Sequence, residues 1–271
     1  MTHLTWDPED YERHSAQQQT WARDLLAKLE LLGNEDVLDV GCGDGKVTAE
    51  IAARVPDGRV VGVDLSPAMV ERANALHACR HPNLRFEVGD ASSLRFDREF
   101  SVVFSNAALH WIRNHRPVLS GISRSLRRDG RVLLQMGGRG NAAEVVSVID
   151  EVITQPEWSG YFVDFGLPYG FHSPAEYEVW LREASLKPIR VELLPKDMLH
   201  EGREGLAGWL RTTWLPYLQR VPEDRRHELL EAILDSYLAR HPVDEAGNSH
   251  VRMVRLEVEA RKMNESGLPE R

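Results

Sequence analysis

Apolar positions recur at helical spacing through residues 18–32, where Trp21, Leu25, Leu26, Leu29 and Leu32 would share one face, and Gly33-Asn34 ends the run. A short apolar strand, Val37 to Val40, follows. After a glycine-rich turn the pattern predicts a helix over 46–54, a strand over 59–63 ending at Asp64, and a helix from Ser66-Pro67 to about His77. Ser66 is placed to cap that helix and Pro67 to start it. Further strands are predicted at 84–88, 100–105 and 131–136, with a helix over 117–126 and a turn at Asp129-Gly130. Strands alternating with helices imply a doubly wound α/β fold, with a mostly parallel sheet covered on both faces. Beyond Gly140 the pattern is less regular. Residues 190–194 read as a sixth strand, 222–240 as a long helix, and 251–258 as a final, seventh strand.

Composition changes this picture at one place. Four of the seven Trp and four of the six Tyr lie between 155 and 220, which reads as an inserted, aromatic-rich helical lid. The expected organisation is an N-terminal cap (1–32), a Rossmann-like core (33–140), a lid and substrate region with late core elements (141–250), a final strand (251–261) and a flexible tail (262–271). The 271 residues suffice for a large core. With 42 acidic against 33 basic residues the net charge is −9, which disfavours nucleic acid and anionic membranes as partners. No window approaches the ~18 apolar residues of a membrane span. The first ten residues have neither the basic nor the apolar stretch of a secretory signal. With two cysteines only, a reducing, cytoplasmic location is expected, as monomer or weak homodimer.

The candidate chemistry lies at strand ends. Gly41-Cys42-Gly43-Asp44-Gly45 joins a strand to a helix, where glycine permits a sharp turn and close approach of a ligand. Its G-x-G-x-G spacing differs from the G-x-G-x-x-G of dinucleotide sites. Asp39 and Asp44 would repel a pyrophosphate and attract an ammonium or sulfonium. Asp64 can accept from a ribose diol, and Asp90 from an adenine amino group. Cys42 reads as a small residue that fits the turn, not as a nucleophile. His77 and His81 have helical spacing but no neighbouring acid or cysteine pattern, and no metal is expected.

VLDVGCGDGKVT (37–48), VVGVDLSPAMVERA (60–73), VGDASSL (88–94) and FSNAALHWI (104–112) resemble, in order and spacing, the motifs of class I S-adenosylmethionine-dependent methyltransferases. Tyr11, Gln18, Leu109-His110-Trp111 and WLPYLQRVPEDRRHELLEAIL (214–234) are similar to the trans-aconitate and juvenile hormone acid methyltransferase group, which methylates carboxylates of small molecules. The resemblance implies a seven-stranded Rossmann-like sheet with its last strand antiparallel, and S-adenosylmethionine as cofactor. Gly41, Cys42, Gly43 and Gly45 would bound the methionine moiety and Asp39 would hold its amino group through the loop or water. Asp64 would take the ribose hydroxyls, Leu65 and Met69 would flank the adenine, and Asp90 and Ala91 would meet its edge. Asn106 and Ala107 would lie near the methionine end, and Tyr11 would close over the cofactor. Gln18 and Trp111 would contact the substrate carboxylate.

A carboxylate is ionised at neutral pH and needs no general base. Methylation at carbon, nitrogen or a phenolic oxygen would need one, and His110 is the candidate. Trp158, Tyr161, Phe165, Tyr169, Trp209 and Trp214 are expected to line the substrate pocket. Arg139 is a candidate partner for a second carboxylate, as are Arg203 and Arg211. Two other readings stay open: a cofactor-binding sensor or scaffold without turnover, and an NAD-dependent reductase, against which the loop spacing and its acids count.

Overall fold

The structure, a computed structural model, describes residues 16–263, with side chains from 21 onward. Tyr11 therefore lies outside the described residues, the side chain of Gln18 likewise, and so does the tail beyond 263. The chain divides into two compact units. The first holds 18–139, 169–194 and 255 onward; the second holds 140–168 and 195–254.

The elements of the first unit follow the alternating pattern. Helix α1 (Ala16–Ala27) leads to β1 (Asp36–Val40), α2 (Lys46–Arg54), β2 (Arg59–Asp64), α3 (Pro67–Ala73) and β3 (Leu84–Val88). Then come β4 (Phe100–Asn106), α4 (Arg116–Ser125) and β5 (Leu126–Gly137). After the second unit begins with α5 (Ala143–Ile153), α6 (Pro174–Glu183) and β6 (Leu186–Glu201) return to the sheet. The second unit adds α7 (Gly202–Thr213), a short helix (Leu215–Leu218) and α8 (Arg226–Arg240), and β7 (Asn248–Lys262) ends the described chain. The seven strands form one sheet in the order β3-β2-β1-β4-β5-β7-β6. Strands β1 to β5 pair in parallel, and β7 runs antiparallel to β5. This is the expected Rossmann-like sheet.

Alternation along the strands supplies a core on each face. Leu38, Val40, Val61, Val63 and Val103 pack with Val118, Leu119 and Ile122 of α4 and Tyr177 and Leu181 of α6. Val37, Val60, Val102 and Phe104 pack on the other face with Leu25 and Leu26 of α1 and Ile51 and Ala52 of α2.

Four local expectations need correction. Helix α1 stops at Ala27, and Glu30 takes a left-handed backbone (φ +44°), so Leu32 is 88% exposed rather than on the buried face. Helix α3 ends at Ala73 and continues as a single π turn, Asn74–Ala78. The Asp129-Gly130 turn does not interrupt a strand boundary. It is absorbed inside β5, whose pairing with β4 jumps from Leu126 opposite Phe100 to Arg131 opposite Val102. The sixth and seventh strands are longer than their apolar cores, because polar residues at both ends also keep extended backbone.

Candidate active site

The parallel strands all end on one edge of the sheet, where an open α/β fold places its ligand. Two regions of the first unit meet that edge. One is the glycine turn with its acids. The other is the turn after β4 with its rings.

The glycine turn is fixed by backbone bonds. Gly41 N and Cys42 N donate to Val63 O at 2.7 and 3.1 Å, and Gly43 N donates to Asp64 Oδ2 at 2.9 Å. Gly41 has φ +79°, and a Cβ there would sit 2.1 Å from Ala108 Cβ. Gly45 is also tightly packed, and a Cβ there would sit 2.5 Å from the Phe86 ring. Gly43 differs: φ is +54°, and a Cβ would meet nothing within 4 Å. Gly41 and Gly45 thus let the loop pack, and Gly43 leaves its backbone open to a ligand.

Asp39 is buried, and its Oδ2 accepts from Thr48 Oγ1 at 2.7 Å. Burial pushes its carboxyl up to about 7, the Thr48 hydrogen bond opposes this, and the charge of Asp64 adds to it. Asp64 caps the end of β2. Its Oδ1 accepts from Ser66 N and its Oδ2 from Gly43 N, both at 2.9 Å. Burial raises its carboxyl, with these backbone donors pulling the other way. Burial also pushes the Cys42 thiol well up, with Asp39 and Asp64 adding, so it stays a neutral thiol. Leu65 is 69% exposed while Met69 is buried. At the end of β3, Asp90 Oδ1 accepts from Ser92 N and Oγ at 2.8 and 2.7 Å, and Ala91 packs on the core.

The second region begins at Asn106, the last residue of β4. Its Oδ1 is buried and has no hydrogen-bond partner among the described residues. Ala107 takes φ +54°, and its N donates to Gln135 O at 2.8 Å. A 3-10 turn, Leu109–Trp111, follows. His110 is buried against three rings, Trp111, Phe171 and Tyr169, with centroids 5.6, 6.2 and 6.4 Å away. Its Nδ1 has no hydrogen-bond partner among the described residues. Burial pushes its pKa well below the usual histidine value, and the charges of Arg255 and His115 add. Trp111 meets Tyr169 edge-on at 5.2 Å, and Tyr169 stacks on Phe171 at 5.3 Å and 10°.

This turn is clasped from behind by residues the sequence pattern did not single out. His115 is fully buried. Its Nε2 lies 2.9 Å from Leu109 O and 2.8 Å from Ile112 O, so Nε2 carries the proton. Nδ1 then accepts from the Tyr177 hydroxyl at 2.5 Å. Burial lowers His115 to about 4, with His172 adding. Gly170 N donates to His110 O at 2.8 Å, and a Cβ on Gly170 would sit 2.1 Å from Ile112 O. His172 Nε2 reaches Arg113 O at 3.1 Å, and His172 O accepts from Arg139 N at 2.8 Å. The 169–173 segment is thereby strapped across the ends of β4 and β5.

The proposed pocket aromatics fall in both units. Tyr169 joins Trp111 as described. Trp158, Tyr161, Phe165, Trp209 and Trp214 belong to the second unit. There Phe165 contacts Tyr217 and Phe162, Trp214 contacts Tyr217 and Trp209, Arg225 lies over Trp158, and Arg220 Nε donates to Tyr161 O. The proposed cations are engaged at the surface. Arg139 is 63% exposed at its side chain and pairs with Glu176 at 2.8 Å. Arg203 pairs with Glu231 and Asp235.

The comparisons with known proteins agree with this architecture. Residues 37–130 match the family model described as a methyltransferase domain. The chain is similar to a trans-aconitate 2-methyltransferase of Deinococcus radiodurans, 34% identical, with 80% of this chain and 84% of that one covered. The chain belongs to the class I S-adenosylmethionine-dependent methyltransferases. Within them it falls in the trans-aconitate methyltransferase group, and its cofactor is S-adenosylmethionine. A second relative of the same description, from Methylobacterium radiotolerans, is 30% identical over 95% of this chain and 98% of its own. The fold matches phosphoethanolamine N-methyltransferase 2 of Haemonchus contortus, solved with phosphomonomethylethanolamine and S-adenosylhomocysteine. The TM-score is 0.59 at 18% identity, over 95% of this chain and 57% of that one. No described helix is long and apolar enough to cross a membrane.

Proposed function

We propose that this methyltransferase acts on a small carboxylic acid and forms a methyl ester at a carboxylate oxygen. The names of its trans-aconitate relatives support this reading. The observation that carries it is His110. The titratable group beside Trp111 is enclosed by rings and held well below the pKa a general base needs near neutral pH. A carboxylate, ionised above about pH 4, dispenses with that base.

The residues fit the cofactor. Asn106 Oδ1 is a buried acceptor with no partner among the described residues, to which an ammonium group would donate, and a Cβ on Gly43 would meet none of the described residues within 4 Å. S-adenosylmethionine, when bound, supplies an electrophilic methyl on a sulfonium. Gly41, Cys42, Gly43 and Gly45 would bound its methionine end, with Asp39, Asn106 and Ala107 nearby. Asp64 would take the ribose hydroxyls. Leu65, Met69, Asp90 and Ala91 would surround the adenine, and Tyr11, outside the described residues, would close over it. Gln18 and the Trp111 indole N–H would each donate to one carboxylate oxygen of the acceptor. Positioning of this kind supplies roughly 7–11 kcal/mol toward a reaction between pre-aligned groups. The rings of Tyr169 and Phe171 keep water from the same place.

The test is transfer of labelled methyl to trans-aconitate, to other small acids, and to phenol and amine controls, followed by alkaline hydrolysis. An ester releases its label as methanol, whereas N-methyl, C-methyl and aryl ether products keep it. The expected kcat is flat from about pH 6 to 9, where the acceptor is already ionised. Label stable to alkali, or a rate that rises tenfold per pH unit, would overturn the reading.

A further inference from the structure

A row of polar side chains crosses one face of the first unit's sheet near its ligand edge. Val60, Phe104 and Leu133 pack on the face covered by α1 and α2. Alternation then puts Asp64 of β2, Asn106 of β4 and Gln135 of β5 on that same face. Gln135 stands opposite Asn106 on one side and opposite Glu257 of β7 on the other. Asp39 shares the face on β1, opposite Phe104 and so one pleat deeper.

The acids of this row have donors. Asp39 accepts from Thr48, and Asp64 from Gly43 and Ser66. Glu257 accepts from Lys28 at 2.7 Å, from Gln135 Nε2 at 3.1 Å and from Arg190. The two amides between them differ. Asn106 Oδ1 and Gln135 Oε1 are both buried with no hydrogen-bond partner among the described residues. Paired strands lie about 4.8 Å apart, so these are adjacent side chains.

The Gln135 amide cannot be turned round. Burial works to raise the Glu257 carboxyl, but Lys28 and Arg190 hold it below its usual value, so it is ionised and only accepts. It therefore takes the nitrogen of Gln135, and the oxygen is the branch left over. A buried acceptor without a donor is costly, and two side by side call for a donor with more than one N–H. Ionised Glu257 on one side, with Asp39 and Asp64 beyond the other, favours a donor of positive charge. An ammonium meets both conditions. The main chain of Gln135 serves the same place, since its carbonyl accepts from Ala107 N at 2.8 Å.

We infer that Gln135 is a cofactor-binding residue, whose side-chain oxygen accepts with Asn106 Oδ1 from the ammonium group of S-adenosylmethionine. The inference rests on the placement of that ammonium at Asn106 and is independent of the carboxylate reading of the acceptor. It gives β5 a cofactor contact, where the sequence pattern offered only an apolar strand.

The experiment is calorimetric titration of the full chain and its Gln135→Met, Gln135→Asn and Asn106→Ala variants, each checked by circular dichroism and melting. The probes are S-adenosylhomocysteine and its deaminated analogue, in which hydrogen replaces the ammonium and the carboxylate is kept. No acceptor is added, so the result does not depend on which acid is methylated. Losing a hydrogen bond to a charged group weakens binding by about tenfold or more. Gln135→Met is expected to bind S-adenosylhomocysteine at least about tenfold more weakly and the deaminated analogue within twofold of wild type. Asparagine keeps the amide but draws its oxygen back by one methylene. It is expected to weaken S-adenosylhomocysteine less, again without touching the analogue, and it decides the matter if the methionine variant does not fold. A merely structural role would weaken both probes alike. Equal loss for both, or loss for neither, in a folded variant would overturn the inference. If Asn106→Ala separates the two probes and the Gln135 variants do not, the ammonium stays at Asn106 and Gln135 alone is excluded. A wild type that binds both probes equally sinks the ammonium placement and Gln135 with it.

Discussion

The glycine turn and the Leu109–Trp111 turn share one sheet edge and are built by opposite means. The first is made of backbone. Its geometry comes from N–H groups donating to Val63 and Asp64, and its side chains are acids. The second is made of rings, a neutral histidine and, beside it, a buried arginine. The acids of the first favour a ligand carrying positive charge, and on the carboxylate reading proposed above the second would take the anionic acceptor. A methyl donor that is a cation and an acceptor that is an anion would each find its own half. A shared fold need not share this division: the Haemonchus relative, an N-methyltransferase by name, has the same fold.

The largest effect is expected where the backbone turn is tightest. Gly41→Ala forces a left-handed alanine into Ala108. The conformation costs about 1–2 kcal/mol and the overlap about 1–3 more. Urea unfolding should show a loss of roughly 2–5 kcal/mol, with S-adenosylhomocysteine binding abolished. Gly43→Ala sharpens the comparison. It carries only the conformational cost, since its Cβ meets nothing. Its stability should fall by about 1–2 kcal/mol, and its affinity for S-adenosylhomocysteine by far more than that loss accounts for. Equal behaviour of the two variants would mean that Gly43 is also a packing glycine.

The ring-built half breaks differently, through its support. Tyr177→Phe removes the donor to His115 Nδ1 and leaves a buried acceptor unsatisfied, at a cost of about 1–3 kcal/mol. His115 holds the carbonyls of Leu109 and Ile112, so the error passes to Trp111. KM for the acceptor should rise several-fold, while S-adenosylhomocysteine affinity stays within twofold. His115 also sets a pH dependence. Its folded pKa, about 4, lies below the usual histidine value. Its contribution to stability is therefore present above about pH 6.5 and is lost as pH falls toward 4. His115→Gln should flatten the acid side of the stability curve in that window. An unchanged acid limb would show that His115 is not the group responsible.

The same contrast explains what could be read from the chain. The backbone-built half was legible because its parts are consecutive: glycines between a strand and a helix, and an acid at each of two further strand ends. The sheet was legible because β1 and β2 are apolar runs that pack on both faces. The ring-built half is assembled from distant pieces. His115, Gly170 and Tyr177 meet only after the chain has left the first unit and returned to it. The buried charges of β7 were missed for a specific reason. Strand alternation assigns the polar positions of 251–258 to solvent, but Arg255 and Glu257 are buried, Arg255 with its guanidinium carbon 5.5 Å from the centre of the Trp21 ring and Glu257 paired with Lys28. Gly41 and Gly43 look identical in sequence, and only Ala108 tells them apart.

The smallest effect is expected at Arg139, one of three cations the sequence offered as candidates. Arg139 follows β5 at the ligand edge, yet its side chain is mostly in solvent and its charge is engaged by Glu176. That carboxylate is held down to about 2 first by the Ser173 hydroxyl, then by the Ser173 backbone, and only then by Arg139. Ser173 and Glu176 form the capping box that starts α6, with Glu176 Oε2 accepting from Ser173 Oγ at 2.6 Å and from Ser173 N at 2.8 Å. Removing the arginine therefore leaves the acid with its stronger partners and the helix with its cap. Arg139→Ala should cost under about 1 kcal/mol, as exposed ion pairs do. Trans-aconitate affinity should stay within twofold of wild type. A tenfold loss at Arg139 would place a substrate carboxylate at the surface strap.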